Sequence, residues 1–241
     1  MIENKARIGN FTNSKIYHLC GGENVNNPTA PFYTYVEEKI FERKLKRSLD
    51  TGAYSQAMAW GSFLEKRLND SDALEGYQMQ HKTTTVHHKH LFWAGSVDFL
   101  VPRIKIAELK CFQPKKFAAY VSALLTNDTE IIKKDFPAEY WQMVGNACIH
   151  KVPKMEAIVY MPYESEMDEI RESVEDPEYL SAIGMQSWQV RFIAEKPNSE
   201  LAVLPNDSEF VNLNRFEFEV PIKDIMFLTK RVIKAGKLLN G

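Results

Sequence analysis

The segment GSVDFLVPRIKIAELKCF, residues 95–112, constrains this chain more than any other. It reads as two short apolar strands joined around Val101-Pro102-Arg103, yet Asp98, Glu108 and Lys110 stand where a buried strand would carry Val or Ile. A carboxylate or ammonium buried without a partner costs several kcal/mol. A fold that keeps three such groups in its strands must pair them with one another or give them a ligand.

Side chains alternate across a strand. Ile104, Ile106, Glu108 and Lys110 are therefore expected on one face, with Ala107, Leu109 and Cys111 on the other. Ser96 and Asp98 share a face in the preceding strand, opposite Val97, Phe99 and Val101. If the two strands pair as a hairpin, Asp98 lies beside Glu108. Carboxylates that close repel unless a cation sits between them. Oxygen donors with little histidine suit a hard ion, Mg²⁺ or Mn²⁺. Lys110 beside a metal-held water could orient or deprotonate a nucleophile, or steady charge growing on a phosphate. The bland alternative for E-x-K is an ion pair at a sheet end.

The remaining pattern is that of one α/β domain over residues 1–241. Helical periods run through 32–49 and 55–69, Asn13 or Ser14 caps a short helix to Leu19, and residues 77–86 alternate weakly. A short helix is expected at 117–125, a clearer one from Pro137, a buried strand in KMEAIVYMP, further strands in SWQVRFIAE and FEFEV, and a helix over 221–239. Residues 164–182 are acidic and read as helical or loose, with 163–179 a mobile surface insertion. The middle is thus α-β-β-β-α-β.

Composition is ordinary for a globular chain, with 44% hydrophobic and 26% charged residues. No apolar run approaches the roughly 20 residues of a membrane span, and the N-terminal residues lack a signal-peptide core, so a cytoplasmic protein is expected. Cys20, Cys111 and Cys148 are too few and scattered for a disulfide framework or a four-cysteine cluster. A net charge of -2 leaves only local basic clusters as a nucleic-acid footprint: 42–47, Lys115-Lys116, Lys133-Lys134, Lys151 with Lys154, and 230–237. His87 to His90 lack the partners of a zinc finger and read as a polar strand or loop. Trp93, Trp141 and Trp188 read as core or interface aromatics, with base stacking the alternative. Glu65 follows Gly61 by four residues on one helix side, where a missing side chain admits close backbone approach.

Together, D-x₉-E-x-K and the preceding helix bearing GSFLE resemble the PD-(D/E)XK nuclease superfamily, with its restriction-endonuclease-like α/β core. More narrowly, the chain resembles the lambda-type phage exonucleases, the viral recombinase nucleases. RIGNFTNS (7–14) is similar to the family's R-x-G-x-x-T-x-S motif, which implies that Arg7 and Ser14 contact a DNA 5′-phosphate. WGSFLE (60–65) implies a metal-binding Glu65, and GSVDFL with AELKC implies the metal Asp98, Glu108 and catalytic Lys110. Ser96 matches a phosphate contact, and Gln142 in YWQMVGNACI matches the glutamine that holds the end phosphate. The chain departs from the pattern in S-V-D-F at the aspartate and in the short Tyr140-to-Gln142 spacing.

The resemblance implies a Mg²⁺-dependent exonuclease, Mn²⁺ serving as an alternative, that digests linear duplex DNA from 5′ ends. Asp98, Glu108 and the Leu109 carbonyl would hold the ion, and Glu65 a second ion or a bridging water. It further implies a phage or prophage origin, a recombination role beside a single-strand annealing protein, and a ring-shaped homotrimer. An endonuclease or single-strand-specific nuclease on the same core, and a catalytically silent DNA-binding module, are the alternatives. Residues 165–241 carry no matching motif.

Overall fold

The computed structural model describes residues 6–49, 55–69, 74–79, 83–101 and 104–239. The Pro102-Arg103 joint expected between the two strands lies outside them. Strand β1 (Phe11–Thr12) runs directly into a 3-10 helix (Asn13–Leu19), followed by α1 (Ala30–Leu45) and α2 (Gln56–Asn69). Short strands β2 (Gln78–Met79), β3 (Thr85–Val86), β4 (Trp93–Gly95) and β5 (Phe99–Val101) lead to β6 (Lys105–Lys110). Helices α3 (Pro114–Leu125), α4 (Thr129–Asp135) and α5 (Pro137–His150) then cross to β7 (Lys154–Tyr160). Last come α6 (Met167–Glu175), α7 (Pro177–Ala182), α8 (Ser187–Glu195), β8 (Leu213–Glu219) and α9 (Ile222–Leu239).

Local sequence accounts for many boundaries. Pro114, Pro137 and Pro177 open α3, α5 and α7, where a missing N–H costs nothing. Helices α1 and α5 stop at Lys46 and Lys151, both left-handed at φ 54° and 58°. The strands form two mixed sheets flanked by helices, in the orders β1-β4-β3 and β2-β5-β6-β7-β8. In the larger sheet β5 is antiparallel to β6, β6 parallel to β7, and β7 antiparallel to β8. Strands β6 and β7 are buried on both faces along most of their length, as central strands of a covered sheet are, although β6 carries Glu108 within its buried run. Helix α5 packs against the 3-10 helix, β4, β6 and β7, and so reaches both sheets.

Several expectations need correction. SWQVRFIAE is a helix, not a strand, because its buried residues Val190 and Ile193 are three apart, while Trp188 is exposed. The stretch 91–101 does not form one strand. It breaks at Ser96–Asp98 into β4 and β5, which join different sheets. Ile104 precedes β6 and is exposed rather than sharing the face of Ile106. Helix α4 was not anticipated from the sequence.

Much of the basic character is absorbed by the fold. Arg231, in the 230–237 cluster, is fully buried between the rings of Phe32 and Phe227. It donates to the carbonyls of Gly21 (2.6 Å) and Asn24 (2.7 Å). Lys133 pairs with Asp224, Lys116 with Glu139 and Lys154 with Glu217. These side chains are tied to carboxylates and carbonyls of the chain itself.

Candidate active site

The antiparallel register pairs Phe99 with Ala107, and one step back along β5 sets Asp98 opposite Glu108. The hairpin expectation therefore holds in its essential feature. The Leu109 N–H donates to Asp98 Oδ2 at 2.8 Å, fixing the aspartate against β6. Glu108 is 1% exposed and has every oxygen engaged. Its Oε1 accepts from Asn146 Nδ2, and its Oε2 from Gln142 Nε2 at 2.7 Å and Lys110 Nζ at 3.4 Å. Gln142 and Asn146 lie four residues apart on α5, hence on one face.

Burial pushes the Glu108 carboxyl up to about 8, with the Asp98 charge adding to the rise and Lys110 opposing it. Glu65 is pushed up to about 7 by burial and then by Asp98, against Lys110 and Lys66. Burial alone would lower the Lys110 ammonium, but Glu108, Asp98 and Glu65 together raise it above its ordinary value. One ammonium thus stands in the field of three carboxylates. Gly61 explains how α2 brings Glu65 there: a Cβ at that position would lie 3.3 Å from the Cys111 carbonyl, so the helix seats closely against the end of β6.

Asp98, Glu108 and Glu65 offer hard oxygen donors with an excess of negative charge, which fits Mg²⁺ or Mn²⁺ rather than a soft ion. They are not a ready-made cage. Among the described residues no three His, Cys, Asp or Glu side chains are grouped to hold a metal. Glu108 is instead turned toward Asn146, Gln142 and Lys110.

A cleft of about 190 Å³ is lined by Arg7, Ser14, Ser96, Gln142 and Asp98, together with Thr12, Asn13, Thr84 and the backbone of β4. All four residues expected to grip a phosphate therefore face one space beside the aspartate. Arg7 Nη2 donates to Ser14 Oγ at 3.1 Å, and Ser96 and Thr84 share a hydroxyl hydrogen bond of 3.1 Å. The N-terminal segment is held by α1. Buried Glu42 accepts from the Gly9 N–H at 2.8 Å, and Arg43 Nε donates to the Gly9 carbonyl at 2.8 Å. Gly9 has φ 65° and its missing side chain leaves the space that Arg43 occupies. Glu65 and Lys110 line a second, more open hollow of about 500 Å³ with Met58, Gln113 and Lys116. Gln142 lines the first and bonds the buried Glu108, which in turn accepts from Lys110 of the second.

Sequence reasoning missed Asn13 and Asn146 as parts of the site. Asn13 was read as a helix cap, yet the cap position is Thr12, and Asn13 is buried behind Glu108. Asn146 could have been found from its helical spacing to Gln142. His87 is buried and stacks on Trp93 with ring centroids 4.9 Å apart. Its Nδ1 accepts from the N–H groups of Lys89 (3.1 Å) and His90 (3.2 Å), so the histidine run forms a tight turn. Trp93 and Trp141 are core residues and Trp188 is exposed.

No family model matches the chain, and no curated protein matches it in sequence. Solved structures do resemble it. LHK-Exo, an alkaline exonuclease from Laribacter hongkongensis, matches with a TM-score of 0.60 at 16% identity, over 98% of this chain and 90% of that one. Its complex with dAMP matches with a TM-score of 0.62 at 16% identity and the same coverage. A phage-related exonuclease from Haemophilus somnus 129PT matches with a TM-score of 0.58 at 14% identity, over 96% and 93% of the two chains. The fold is that of these exonucleases. The motif resemblance pointed to phage exonucleases, and the likeness in fold extends over residues 165–241, where no motif was legible. No described helix is long and apolar enough to cross a membrane.

Proposed function

We propose that this protein is a divalent-metal-dependent DNA exonuclease that hydrolyses duplex ends from the 5′ side, one nuclease domain with a restriction-endonuclease-like core. The observation that carries the reading is the single cleft shared by Arg7, Ser14, Ser96, Gln142 and Asp98, tied by hydrogen bonds from Gln142 to Glu108 and from Lys110 to the same carboxylate. A cationic and hydroxyl-lined recess beside paired carboxylates suits a terminal phosphate placed next to a phosphodiester under attack. The likeness in fold to alkaline and phage-related exonucleases supports the same reading.

Asp98 and Glu108, with the Leu109 carbonyl, would hold Mg²⁺, and Glu65 would serve a second ion or a bridging water. Bound there, the ion would supply a Lewis acid for the phosphodiester and a water acidic enough to attack it. Lys110 would orient that water and meet the charge developing on the phosphate. Arg7, Ser14, Ser96 and Gln142 would bind the 5′-phosphate and set the register of cleavage, leaving a 5′-phosphate on the product. A place in phage recombination beside a single-strand annealing protein, within a bacterial cytoplasm, and a homotrimeric assembly belong to the same proposal.

The deciding experiment incubates linear 5′-phosphorylated duplex and covalently closed circular duplex with the protein, in Mg²⁺ or in chelator, beside a Lys110→Ala variant. Magnesium-dependent loss of the linear DNA alone, abolished by the substitution, is expected, and label release from the 5′ end fixes polarity. Cutting of the circle points to an endonuclease instead. Hydrolysis of neither, in Mg²⁺ or Mn²⁺, overturns the reading.

A further inference from the structure

Glu108 rests on a buried chain of amides whose direction is set at its far end by a group that can only donate. The Trp93 indole N–H donates to Asn13 Oδ1 at 2.7 Å, Asn13 Nδ2 donates to Asn146 Oδ1, and Asn146 Nδ2 donates to Glu108 Oε1. The same Asn146 amide nitrogen also reaches the Ser96 carbonyl at 3.1 Å. Trp93, Asn13 and Asn146 are at most 1% exposed, so no bulk water competes for these groups.

An asparagine amide can in general turn over and exchange donor for acceptor, but an indole N–H can only donate. Asn13 must therefore present its oxygen to Trp93 and its nitrogen to Asn146. Asn146 must in turn present its nitrogen to Glu108. Space for this stack is reserved by two glycines from different elements, since a Cβ at Gly95 of β4 or at Gly145 of α5 would collide with the Asn13 side chain. Such close packing holds both amides in place. The donor at Oε1 is thus fixed from behind, and Oε2 is turned to the side where Gln142 and Lys110 stand.

We propose that Trp93, Asn13 and Asn146 form a polarity-locked positioning relay that presents Glu108 to the divalent cation. The inference rests on the metal-dependent nuclease reading and deepens it. The three are positioning residues, because they act through Glu108. Their contribution falls on metal affinity, where residues bonded to a ligating side chain have their effect.

The isosteric substitution Asn13→Asp tests the direction of the relay. A carboxylate accepts but does not donate, so Asn146 turns its nitrogen toward Asp and its carbonyl toward Glu108. Mn²⁺ binding to chelator-stripped protein, followed by the electron paramagnetic resonance of free Mn²⁺, is the primary readout. Affinity is expected to weaken by about 10- to 100-fold, the usual range for such residues. The half-saturating Mg²⁺ for DNA hydrolysis should rise by a similar factor, with a smaller change in rate at saturating Mg²⁺. A variant that folds with a cooperative melt yet keeps its Mn²⁺ affinity within about twofold overturns the relay, since a merely structural role would move only the melting temperature. Should Asn13→Asp fail to fold, Trp93→Phe removes the polarity lock. There a weaker Mn²⁺ affinity supports the relay and an unchanged one overturns it. Wild-type protein that binds Mn²⁺ while Asn13→Asp is unaffected sinks this proposal alone; wild-type protein that binds no Mn²⁺ sinks the metal-dependent reading together with it.

Discussion

Gln142 Nε2 and Lys110 Nζ converge on one atom, Glu108 Oε2, at 2.7 and 3.4 Å. The oxygen that a cation would take is therefore held by the amide that also lines the phosphate cleft and by the ammonium that would serve the chemistry. Lys110→Ala removes the ammonium that stands in the field of Glu108, Asp98 and Glu65 and that would meet transition-state charge. The rate of DNA hydrolysis should fall by about 10²- to 10³-fold, while Lys110→Arg retains the charge and should lose less. Single-turnover rates at saturating Mg²⁺ measure this, and a Lys110→Ala protein of near wild-type rate would remove Lys110 from the chemistry.

The raised carboxyls make stability depend on pH in a defined direction. Glu108 and Glu65 sit near 8 and 7 in the folded protein, against about 4.3 in an unfolded chain. The folded state binds these protons more tightly. Their contribution is fully present below pH ~4 and is lost as pH rises through 7 and 8. In chelator, the wild-type melting temperature should fall between pH 7 and 8.5, and Glu108→Gln should flatten that slope. Mg²⁺ replaces the lost protons, so its stabilising effect should grow across the same interval. Thermal melts at both pH values, with and without Mg²⁺, test the sign; equal slopes for wild type and Glu108→Gln would contradict it.

Arg7 and Ser14 bond each other at 3.1 Å and line the cleft without bonding Asp98 or Glu108 in the hydrogen bonds described. Arg7→Ala should therefore erase discrimination between 5′-phosphorylated and 5′-hydroxyl duplexes more than it slows cleavage of the hydroxyl ends. A charge-assisted contact to phosphate contributes about 1.5–3 kcal/mol, which corresponds to roughly 10- to 150-fold in preference. Comparing initial rates on the two substrates measures it, and an unchanged ratio would place the end phosphate elsewhere.

Legibility followed the physics of each residue. Asp98, Glu108 and Lys110 could be read because charged groups in strands contradict their surroundings. Arg7, Ser14, Ser96 and Gln142 gave no such contradiction, and only their order along the chain, through resemblance, brought them together. Asn13 and Asn146 were illegible singly, since a buried amide is neutral and its role depends on a partner 133 positions away. The strand read in SWQVRFIAE failed for a related reason: its apolar residues satisfy both periods, and only packing leaves Trp188 in solvent.

The tyrosine two residues before Gln142, where the chain departs from the motif's spacing, makes a last test. Tyr140 is buried and donates to Asp224 Oδ2 at 2.6 Å, while Lys133 Nζ holds Asp224 Oδ1 at 2.5 Å. That triad ties α5 and α4 to α9, and none of its members lines the cleft. Tyr140→Phe should cost about 1 kcal/mol of stability for the lost hydrogen bond. Asp224→Ala should cost more, about 2–4 kcal/mol, since it strands both a buried hydroxyl and a half-buried ammonium. Denaturant unfolding measures both. At temperatures where each variant stays folded, the preference for 5′-phosphorylated ends should match wild type. Loss of that preference in Tyr140→Phe without loss of stability would instead place the tyrosine in phosphate recognition.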